Sequence, residues 1–221
     1  MQVVEIFNSI QGEGPDTGAP VTFVRVAGCN LRCGWCDTKY ALGGGVEMAP
    51  QELHGRIQLH RPAGSPVHYI VITGGEPMLY SEEFSQIKWL PDEYVAIETN
   101  GTIPRPLFPW FKYACVSPKL SSAGVGPVDL TILATWVHWA RMTLKFVITK
   151  EDEVDQALGI VRLLGTGGLD VVFQPNGGCE DYQEALVELY MWVLRADMSG
   201  IRWKILPQLH VVMWGPNVRG V

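Results

Sequence analysis

Short apolar runs alternate along the chain with longer stretches in which apolar residues recur every three or four positions. The short runs, such as residues 69–72 and 171–173, are nearly continuous and rich in valine and isoleucine, which is typical of strands covered on both faces. This pattern predicts strands over residues 3–7, 21–27, 68–73, 94–98, 113–116, 143–148, 170–174 and 202–206.

The stretches between these strands predict helices. Pro50 suits the first turn of a helix over 48–60, and Ser81 opens a helix over 81–89. Apolar residues at helical spacing mark two more helices, over the ranges 151–164 and 181–195. Alternating strands and helices predict an α/β fold with a mainly parallel sheet, built as one domain over residues 1–221. In such folds the functional loops follow the carboxyl ends of the strands.

The composition argues against a nucleic-acid-binding, membrane-spanning or disulfide-rich protein. Of the 221 residues, 47% are hydrophobic and 18% charged, and the formal net charge of −6 argues against a nucleic-acid partner. No apolar segment approaches the roughly 20 residues of a membrane span, and the N-terminus lacks a secretory pattern. Five cysteines, three of them crowded into one short segment, do not suggest a disulfide framework. We therefore expect a cytoplasmic protein with reduced thiols and no membrane partner.

Cys29, Cys33 and Cys36 lie in one loop after the strand predicted over 21–27. Three thiolates at this spacing can hold a [4Fe–4S] cluster, which has four cysteine ligands when fully ligated, so one iron would stay open to a cofactor or substrate. Two alternatives remain at this point: a zinc site completed by a fourth ligand, or thiols buried for packing alone. The candidate fourth zinc ligands are His54, His60, Cys115 and Cys179.

The cysteine loop resembles the CxxxCxφC signature of the radical S-adenosylmethionine superfamily, with Trp35 as its aromatic residue. A second superfamily signature, Gly-Gly-Glu-Pro, is matched by residues 74–77 directly after the next predicted strand. The two signatures together weaken the zinc alternative. The resemblance implies a partial (β/α) barrel, a [4Fe–4S] cluster and S-adenosylmethionine, which one electron from the reduced cluster would cleave to a 5′-deoxyadenosyl radical.

The N-terminal segment 5–14, Glu-Ile-Phe-Asn-Ser-Ile-Gln-Gly-Glu-Gly, indicates one family within the superfamily. With residues 98–101, 117–119, 174–175 and 206–210, it makes the chain similar over essentially its whole length to the 7-carboxy-7-deazaguanine synthases. The resemblance implies a carbon–nitrogen lyase that contracts the ring of 6-carboxy-5,6,7,8-tetrahydropterin with loss of ammonia, in queuosine and 7-deazapurine biosynthesis. It also implies Mg²⁺, a homodimer, and an electron donor such as a flavodoxin or ferredoxin.

The functional residues of that family carry over onto matching positions here. The implied metal ligands are Cys29, Cys33 and Cys36 for the cluster and Thr38 for Mg²⁺. The implied cofactor contacts are Trp35, Cys36, Asp37, Gly75, Glu76, Ser117, Pro118, Lys119, Gln174, Pro175, Asn176 and Gly177. The implied substrate contacts are Ile10, Gln11, Gly12, Glu13, Arg25, Thr73, His210 and Val221. No side chain is assigned a catalytic role of its own.

Chemistry suggests what some of these groups would do. Glu13 would accept hydrogen bonds from the guanidine-like face of the pterin, and Arg25 would pair with the substrate carboxylate. Glu76 can anchor the methionine ammonium. Cys115 and Cys179 match no ligand position, so we expect them to be packing or surface thiols.

Two other functions share part of this pattern. An activase of a glycyl-radical enzyme also carries CxxxCxφC, but its substrate would be a protein backbone, and the polar loop over 9–14 weighs against it. A ferredoxin-like electron carrier would need a fourth cysteine near the other three and has no use for the Gly-Gly-Glu-Pro turn. Reductive cleavage of S-adenosylmethionine would exclude the electron carrier.

Overall fold

The computed structural model describes residues 1–107, 109–137, 139, 141–165, 168, 170–216 and 218–220. Its strands are β1 (Gln2–Ile10), β2 (Pro20–Val26), β3 (Val46–Glu47), β4 (His68–Gly74), β5 (Glu93–Thr99), β6 (Tyr113–Val116), β7 (Met142–Ile148), β8 (Asp170–Pro175) and β9 (Arg202–Ile205). They form one sheet in the order β3-β1-β2-β4-β5-β6-β7-β8-β9. Only β1 runs antiparallel to its neighbours, so the open, mainly parallel sheet confirms the predicted fold class.

The helices are α1 (Pro50–Leu59), α2 (Ser81–Ser85), α3 (Leu130–Val137), α4 (Asp152–Leu164), α5 (Tyr182–Arg195) and α6 (Leu209–Trp214). The cap of α5 is Asp181, whose carboxylate accepts a hydrogen bond from the Glu184 backbone N–H. Within the described part of the chain, no helix is long and apolar enough to cross a membrane.

The predicted elements agree with the structure except at weak local signals. The helix predicted over 81–89 ends at Ser85, where the Gln86 and Ile87 N–H groups bond three residues back and tighten the chain into a turn. The prediction omitted α3, α6 and the two-residue strand β3, because each is too short to show a clear period.

The two faces of the sheet differ in character. The helix-covered face carries the main core, which includes the fully buried Ile70, Ile72, Trp136 and Phe146. The concave face carries a much smaller apolar cluster around Phe23. Because side chains alternate along a strand, the residues two positions after the members of this small cluster point to the same concave face.

Polar residues begin one step beyond that cluster on each of three adjacent strands. Arg25 follows Phe23 on β2, Thr73 follows Val71 on β4, and Glu98 lies two residues after Ala96 on β5. Arg25 and Thr73 are direct partners in the sheet register. The concave face is therefore apolar at its base and polar at the carboxyl ends of the strands, where we locate the candidate site.

Candidate functional site

A cavity of about 320 Å³ opens at the carboxyl ends of the parallel strands. Its walls come from the loops that follow β1, β2, β4, β5, β6 and β8, and from the C-terminal segment after α6. Such a volume suits a small-molecule site. Sequence segments more than 200 residues apart thus share one chamber, with Gln11 and Arg219 both on its wall.

The cysteine loop is held to the rest of the fold by backbone hydrogen bonds at both ends. The Gly28 N–H donates to the Ala41 carbonyl over 2.8 Å, and the Gly34 N–H donates to the Ala123 carbonyl over 2.9 Å. These bonds leave the three thiols of the loop partly exposed on the cavity wall. Side chains also hold the loop, since the Asn100 amide donates to the Asn30 side-chain oxygen over 2.9 Å and the Asn30 amide donates to the Thr102 hydroxyl over 2.7 Å.

The geometry of the thiols suits a cluster better than a single ion. Among the described residues, no three Cys, His, Asp or Glu side chains converge on one metal position. A cubane takes a different iron at each thiolate, so Cys29, Cys33 and Cys36 need not converge. Burial raises the pKa of the Cys29 and Cys33 thiols, and bound iron is what would keep them ionised. The Leu31 N–H, 3.3 Å from the Cys29 sulfur, would further stabilise a thiolate there.

The Gly-Gly-Glu-Pro turn packs directly against the start of the cysteine loop. A Cβ on Gly75 would overlap the Gly28 carbonyl, so only glycine fits at that position. The Glu76 carboxylate is buried and turned away from the cavity. It accepts from the Thr99 hydroxyl at 2.7 Å, the Asn100 N–H at 2.8 Å and the Met78 N–H at 2.9 Å.

This environment changes the interpretation of Glu76. Burial raises the pKa of its carboxyl group, although the three hydrogen bonds oppose that rise. The carboxylate joins two strand-end loops and does not face the space where a cofactor would lie. Its placement thus disagrees with the expectation that it anchors the methionine ammonium, and Gly74 and Gly75 are the parts of this motif on the cavity wall.

One wall of the cavity carries a lysine without an acidic partner within ion-pair distance in the described chain. The Lys119 Nζ donates to the Ser117 hydroxyl over 3.0 Å and lies 5.6 Å from the centre of the Trp35 ring. Burial and the charge of Lys145 lower the pKa of Lys119. The Trp35 indole N–H is fixed by the Ser122 hydroxyl at 3.0 Å. A ligand carboxylate could pair with the Lys119 ammonium at this wall.

The opposite wall is polar and internally bonded. Glu98 accepts from the Gln11 side-chain amide at 3.1 Å and from the Thr73 hydroxyl at 2.7 Å. Glu13, in the same loop as Gln11, forms an ion pair with Lys145 of β7. Gln208, just before α6, donates its side-chain amide to the other Glu13 oxygen. The wall therefore ties the N-terminal loop to the middle and the end of the chain.

At the rim of the cavity, the Tyr40 ring lies beside two arginine side chains and a glutamate. The Arg25 Nε donates to Glu5 over 2.7 Å, and the Tyr40 hydroxyl donates to the same carboxylate over 2.9 Å. The Arg219 guanidinium, in the C-terminal segment, lies 3.9 Å from the centre of the Tyr40 ring. This cation–π contact holds the end of the described chain over the cavity.

Comparison with known proteins decides the family. The model of the Radical SAM superfamily matches residues 23–193. A 7-carboxy-7-deazaguanine synthase from Hyperthermus butylicus is 35% identical, over 98% of this chain and 94% of its own length. A 7-carboxy-7-deazaguanine synthase from Thermoplasma acidophilum is 34% identical over the whole of both chains. The chain belongs to the 7-carboxy-7-deazaguanine synthase family of the radical SAM superfamily.

The fold of a solved relative agrees with this assignment. The crystal structure of QueE from Escherichia coli superimposes with a TM-score of 0.67, covering 95% of this chain and 94% of that one at 23% identity. Membership of the radical SAM superfamily implies a [4Fe–4S] cluster and S-adenosylmethionine. Three features fit these two groups: the cysteine loop, the Gly75 backbone packed against Gly28, and Lys119, which has no acidic partner within ion-pair distance among the described residues.

Most positions carried over from the synthase family lie on the cavity wall. These are Ile10, Gln11, Gly12, Glu13, Arg25, Cys29, Cys33, Trp35, Cys36, Asp37, Thr38, Thr73, Gly75, Ser117, Lys119, Asn176, Gly177 and His210. Four others are buried behind the wall: Glu76, Pro118, Gln174 and Pro175. Val221 lies outside the described residues.

Sequence reasoning missed several residues of the wall. Glu98, Asn100, Lys145 and Gln208 line the cavity without having been assigned a role, and Cys115, expected to be a packing thiol, is buried yet also reaches the wall. Lys145 had a usable signal, since it is a charged residue inside an otherwise apolar strand. Glu98, Asn100 and Gln208 lie in segments that match the synthase family, but the sequence does not indicate their roles, which depend on which loops meet.

Proposed function

We propose that the protein is a 7-carboxy-7-deazaguanine synthase, a lyase that converts 6-carboxy-5,6,7,8-tetrahydropterin to 7-carboxy-7-deazaguanine with loss of ammonia, in queuosine and 7-deazapurine biosynthesis. One observation carries this proposal: the cysteine loop and the polar N-terminal loop line the same cavity of about 320 Å³. A cofactor on the first loop and a heterocycle on the second would lie side by side. The name shared by the curated relatives supports the same reaction.

The cysteine side of the cavity would hold the cofactors. Cys29, Cys33 and Cys36 would hold the cluster, which with S-adenosylmethionine would supply the radical chemistry needed to remove a hydrogen atom from the substrate. The Lys119 ammonium would pair with the methionine carboxylate, and Trp35 would cover part of the nucleoside. Arg219 over Tyr40 would limit access of water to the chamber.

The opposite side would hold the pterin. Glu13 and the loop around it would receive the N–H edge of the heterocycle. Arg25 uses its Nε for Glu5, and its terminal nitrogens form no hydrogen bond with any described residue. Those nitrogens would pair with the substrate carboxylate. His210, against which Gly12 packs, would border the ring from the α6 side.

We also propose Mg²⁺ at Thr38. The Thr38 residue lines the cavity and its hydroxyl lies 3.6 Å from the Cys36 sulfur, so it could hold a cation beside the cysteine loop. A single hydroxyl ligand agrees with the preference of Mg²⁺ to keep several waters and bind ligand oxygens.

The proposed working form is a cytoplasmic homodimer of single-domain chains that receives electrons from a flavodoxin or ferredoxin. The continuity of one sheet over the chain supports the single domain. The apolar side chains that α5 leaves exposed support a subunit contact: Val187, Tyr190, Met191 and Leu194. Light scattering that returns a monomer at micromolar concentration would end the dimer proposal.

The test is an anaerobic assay with reconstituted protein, S-adenosylmethionine, dithionite, Mg²⁺ and 6-carboxy-5,6,7,8-tetrahydropterin, with the product followed by mass. We expect several turnovers per protein. Cys33→Ala should abolish the cluster absorbance and the activity, and Thr38→Ala should weaken the activity and its response to Mg²⁺. Cys179→Ala is the matched control, because that thiol lies outside the cavity wall and bonds only the Asp181 carbonyl.

The outcomes separate the competing functions. Accumulation of 5′-deoxyadenosine without the deazaguanine product would retain the radical chemistry and reject the substrate. No cleavage of S-adenosylmethionine by protein with a verified cluster would favour an electron carrier.

A further inference from the structure

Three distant segments of the chain meet at the Glu13 carboxylate. Lys145, on β7, is paired with one carboxylate oxygen, and Gln208, before α6, donates its side-chain amide to the other. The side chains of Glu13 and Lys145 are only 12% and 10% exposed, so this is a desolvated pair rather than a surface contact. Each oxygen therefore has one fixed partner inside the protein.

The remaining acceptor capacity of Glu13 is directed by these two bonds. An ionised carboxylate offers about four lone-pair sites, two on each oxygen. With one site on each oxygen occupied, each oxygen keeps acceptor capacity, and Glu13 lies on the cavity wall. A carboxylate that accepts with both oxygens matches a ligand edge with two adjacent N–H donors, as in an amidine or guanidine group.

Gln208 is itself held in place. Its backbone N–H donates to the Tyr182 hydroxyl, and its side-chain carbonyl leaves no room for a Cβ on Gly177. That carbonyl oxygen is buried without a hydrogen-bond partner among the described residues. Because Gly177 lies in the loop after β8, the amide that orients Glu13 also contacts the expected cofactor side of the cavity.

The charges around Glu13 determine its ionisation. Burial would raise its pKa, but Lys145, His210 and the Gln208 amide outweigh burial and hold the pKa at about 2. The other titratable groups that interact with this pair are Glu98 of β5, Cys115 of β6, Lys119 in the loop after β6 and Tyr182 of α5. Of the groups on these elements, Lys145 contributes the largest favourable effect on the charged form of Glu13.

We propose that Lys145 and Gln208 are positioning residues, which hold Glu13 charged and in one orientation so that the site selects a ring edge with two adjacent N–H donors. This inference rests on the proposed function, since it assigns the pterin edge to Glu13. A substrate with a carbonyl oxygen in place of the amino group on the ring would place an acceptor against the Glu13 carboxylate, which also accepts. The site should therefore reject it.

The test is equilibrium binding of two fluorescent probes, 6-carboxypterin and 6-carboxylumazine, the second having a carbonyl oxygen where the first has its amino group. We expect the wild type to prefer 6-carboxypterin by at least about tenfold, with affinity that does not depend on Glu13 ionisation between about pH 6 and pH 9. Lys145→Met should weaken binding of 6-carboxypterin about tenfold or more near pH 7. The unpaired, buried Glu13 of this variant would have a raised pKa and would be protonated near pH 7. The affinity of the variant for 6-carboxypterin should therefore recover as the pH increases and Glu13 ionises.

Further variants distinguish positioning from mere packing. Lys145→Arg should restore most of the affinity, and Lys150→Met, at an exposed lysine paired with Asp152, is the matched control that should change nothing. Glu13→Gln should show no recovery of affinity with pH. The double variant Lys145→Met, Glu13→Gln should bind no more weakly than Glu13→Gln alone, and since it leaves no unpaired charge, it provides a test even if Lys145→Met fails to fold.

Two results would overturn the inference while leaving the proposed function intact. One is a Lys145→Met protein with wild-type affinity and no added pH dependence. The other is a double variant much weaker than Glu13→Gln alone, which would mean that Lys145 acts independently of Glu13. A wild type that cleaves S-adenosylmethionine but binds neither probe and makes no product would instead reject the proposed function, and the inference with it.

Discussion

The Gly-Gly-Glu-Pro turn and the N-terminal loop each place a glutamate beside the cavity, with opposite results. Glu76 is fully buried, faces away from the cavity and accepts three hydrogen bonds from neutral groups. Glu13 lies on the cavity wall and is bound to a lysine and an amide. Burial raises the pKa of Glu76, whereas the lysine holds the pKa of Glu13 at about 2.

The contrast shows how one residue type serves two purposes. Donors from three backbone and side-chain positions hold Glu76 as a brace between loops, and the carboxylate is not on the cavity wall. A cation keeps Glu13 charged while each of its oxygens retains acceptor capacity. The first arrangement favours stability, and the second favours recognition of a ligand.

Removing the brace should have the largest effect. Glu76→Leu would leave the Thr99 hydroxyl and the Met78 and Asn100 N–H groups without their acceptor, at a cost of about 4 kcal/mol in the free energy of unfolding. Urea denaturation measures this loss. Glu82→Leu, at an exposed position in α2, is the control and should shift the free energy by less than about 0.5 kcal/mol. Equal stability of both variants would show that Glu76 is no brace.

Adding one methyl group to the same turn should be nearly as harmful. Gly75→Ala would push a Cβ into the Gly28 carbonyl, which cannot move without displacing the cysteine loop. We expect a loss of about 3 kcal/mol and poor retention of the cluster absorbance. Gly55→Ala, in open space on α1, should instead stabilise the protein by about 0.5–1 kcal/mol. A Gly75→Ala protein as stable as the wild type would contradict the close packing.

The ionisation of Glu13 predicts a dependence of stability on acid pH. Its folded-state pKa of about 2 lies below the ordinary value of 4.5, so its contribution is present above 4.5 and is lost as the pH falls toward 2. The advantage of the wild type over Glu13→Gln should shrink by about 2 kcal/mol between pH 5 and pH 3. Urea titrations at each pH test this, with Glu52→Gln on the surface as a control that parallels the wild type. Parallel curves for the wild type and Glu13→Gln would refute the charge pairing.

The smallest change is expected from the N-terminal loop glycine. A Cβ on Gly12 would meet the His210 ring, which is a side chain and can rotate away, unlike the Gly28 carbonyl. Gly12→Ala should cost only about 1 kcal/mol in stability but should raise the KM for the pterin, because the displaced ring would enter the cavity. Thermal unfolding and steady-state kinetics separate the two effects. A stability loss as large as that of Gly75→Ala would show that the two loops are packed alike.

Local patterns were enough for the elements with a strong period. Apolar runs located β4 and β8 within two residues, and the cysteine spacing together with the Gly-Gly-Glu-Pro turn predicted the cluster loop. The same reasoning extended α2 beyond Ser85 and overlooked α3 and α6, because short helices depend on packing against the rest of the fold.

The sequence by itself determined the chemistry available to this protein: the order of strands and helices, the three thiols of one loop, and a polar loop after the first strand. Only the tertiary structure decided how the two glutamates are used. Glu13 and Lys145 are separated by 132 positions, and Glu76 and Asn100 by 24, so no local spacing predicts either contact. Glu76 and Asn100 are neighbours because the carboxyl ends of the parallel strands β4 and β5 lie at one edge of the sheet. Glu13 follows the antiparallel β1, and its loop reaches Lys145 only because the sheet and the loop fold together. Burial then gives each carboxylate a different partner.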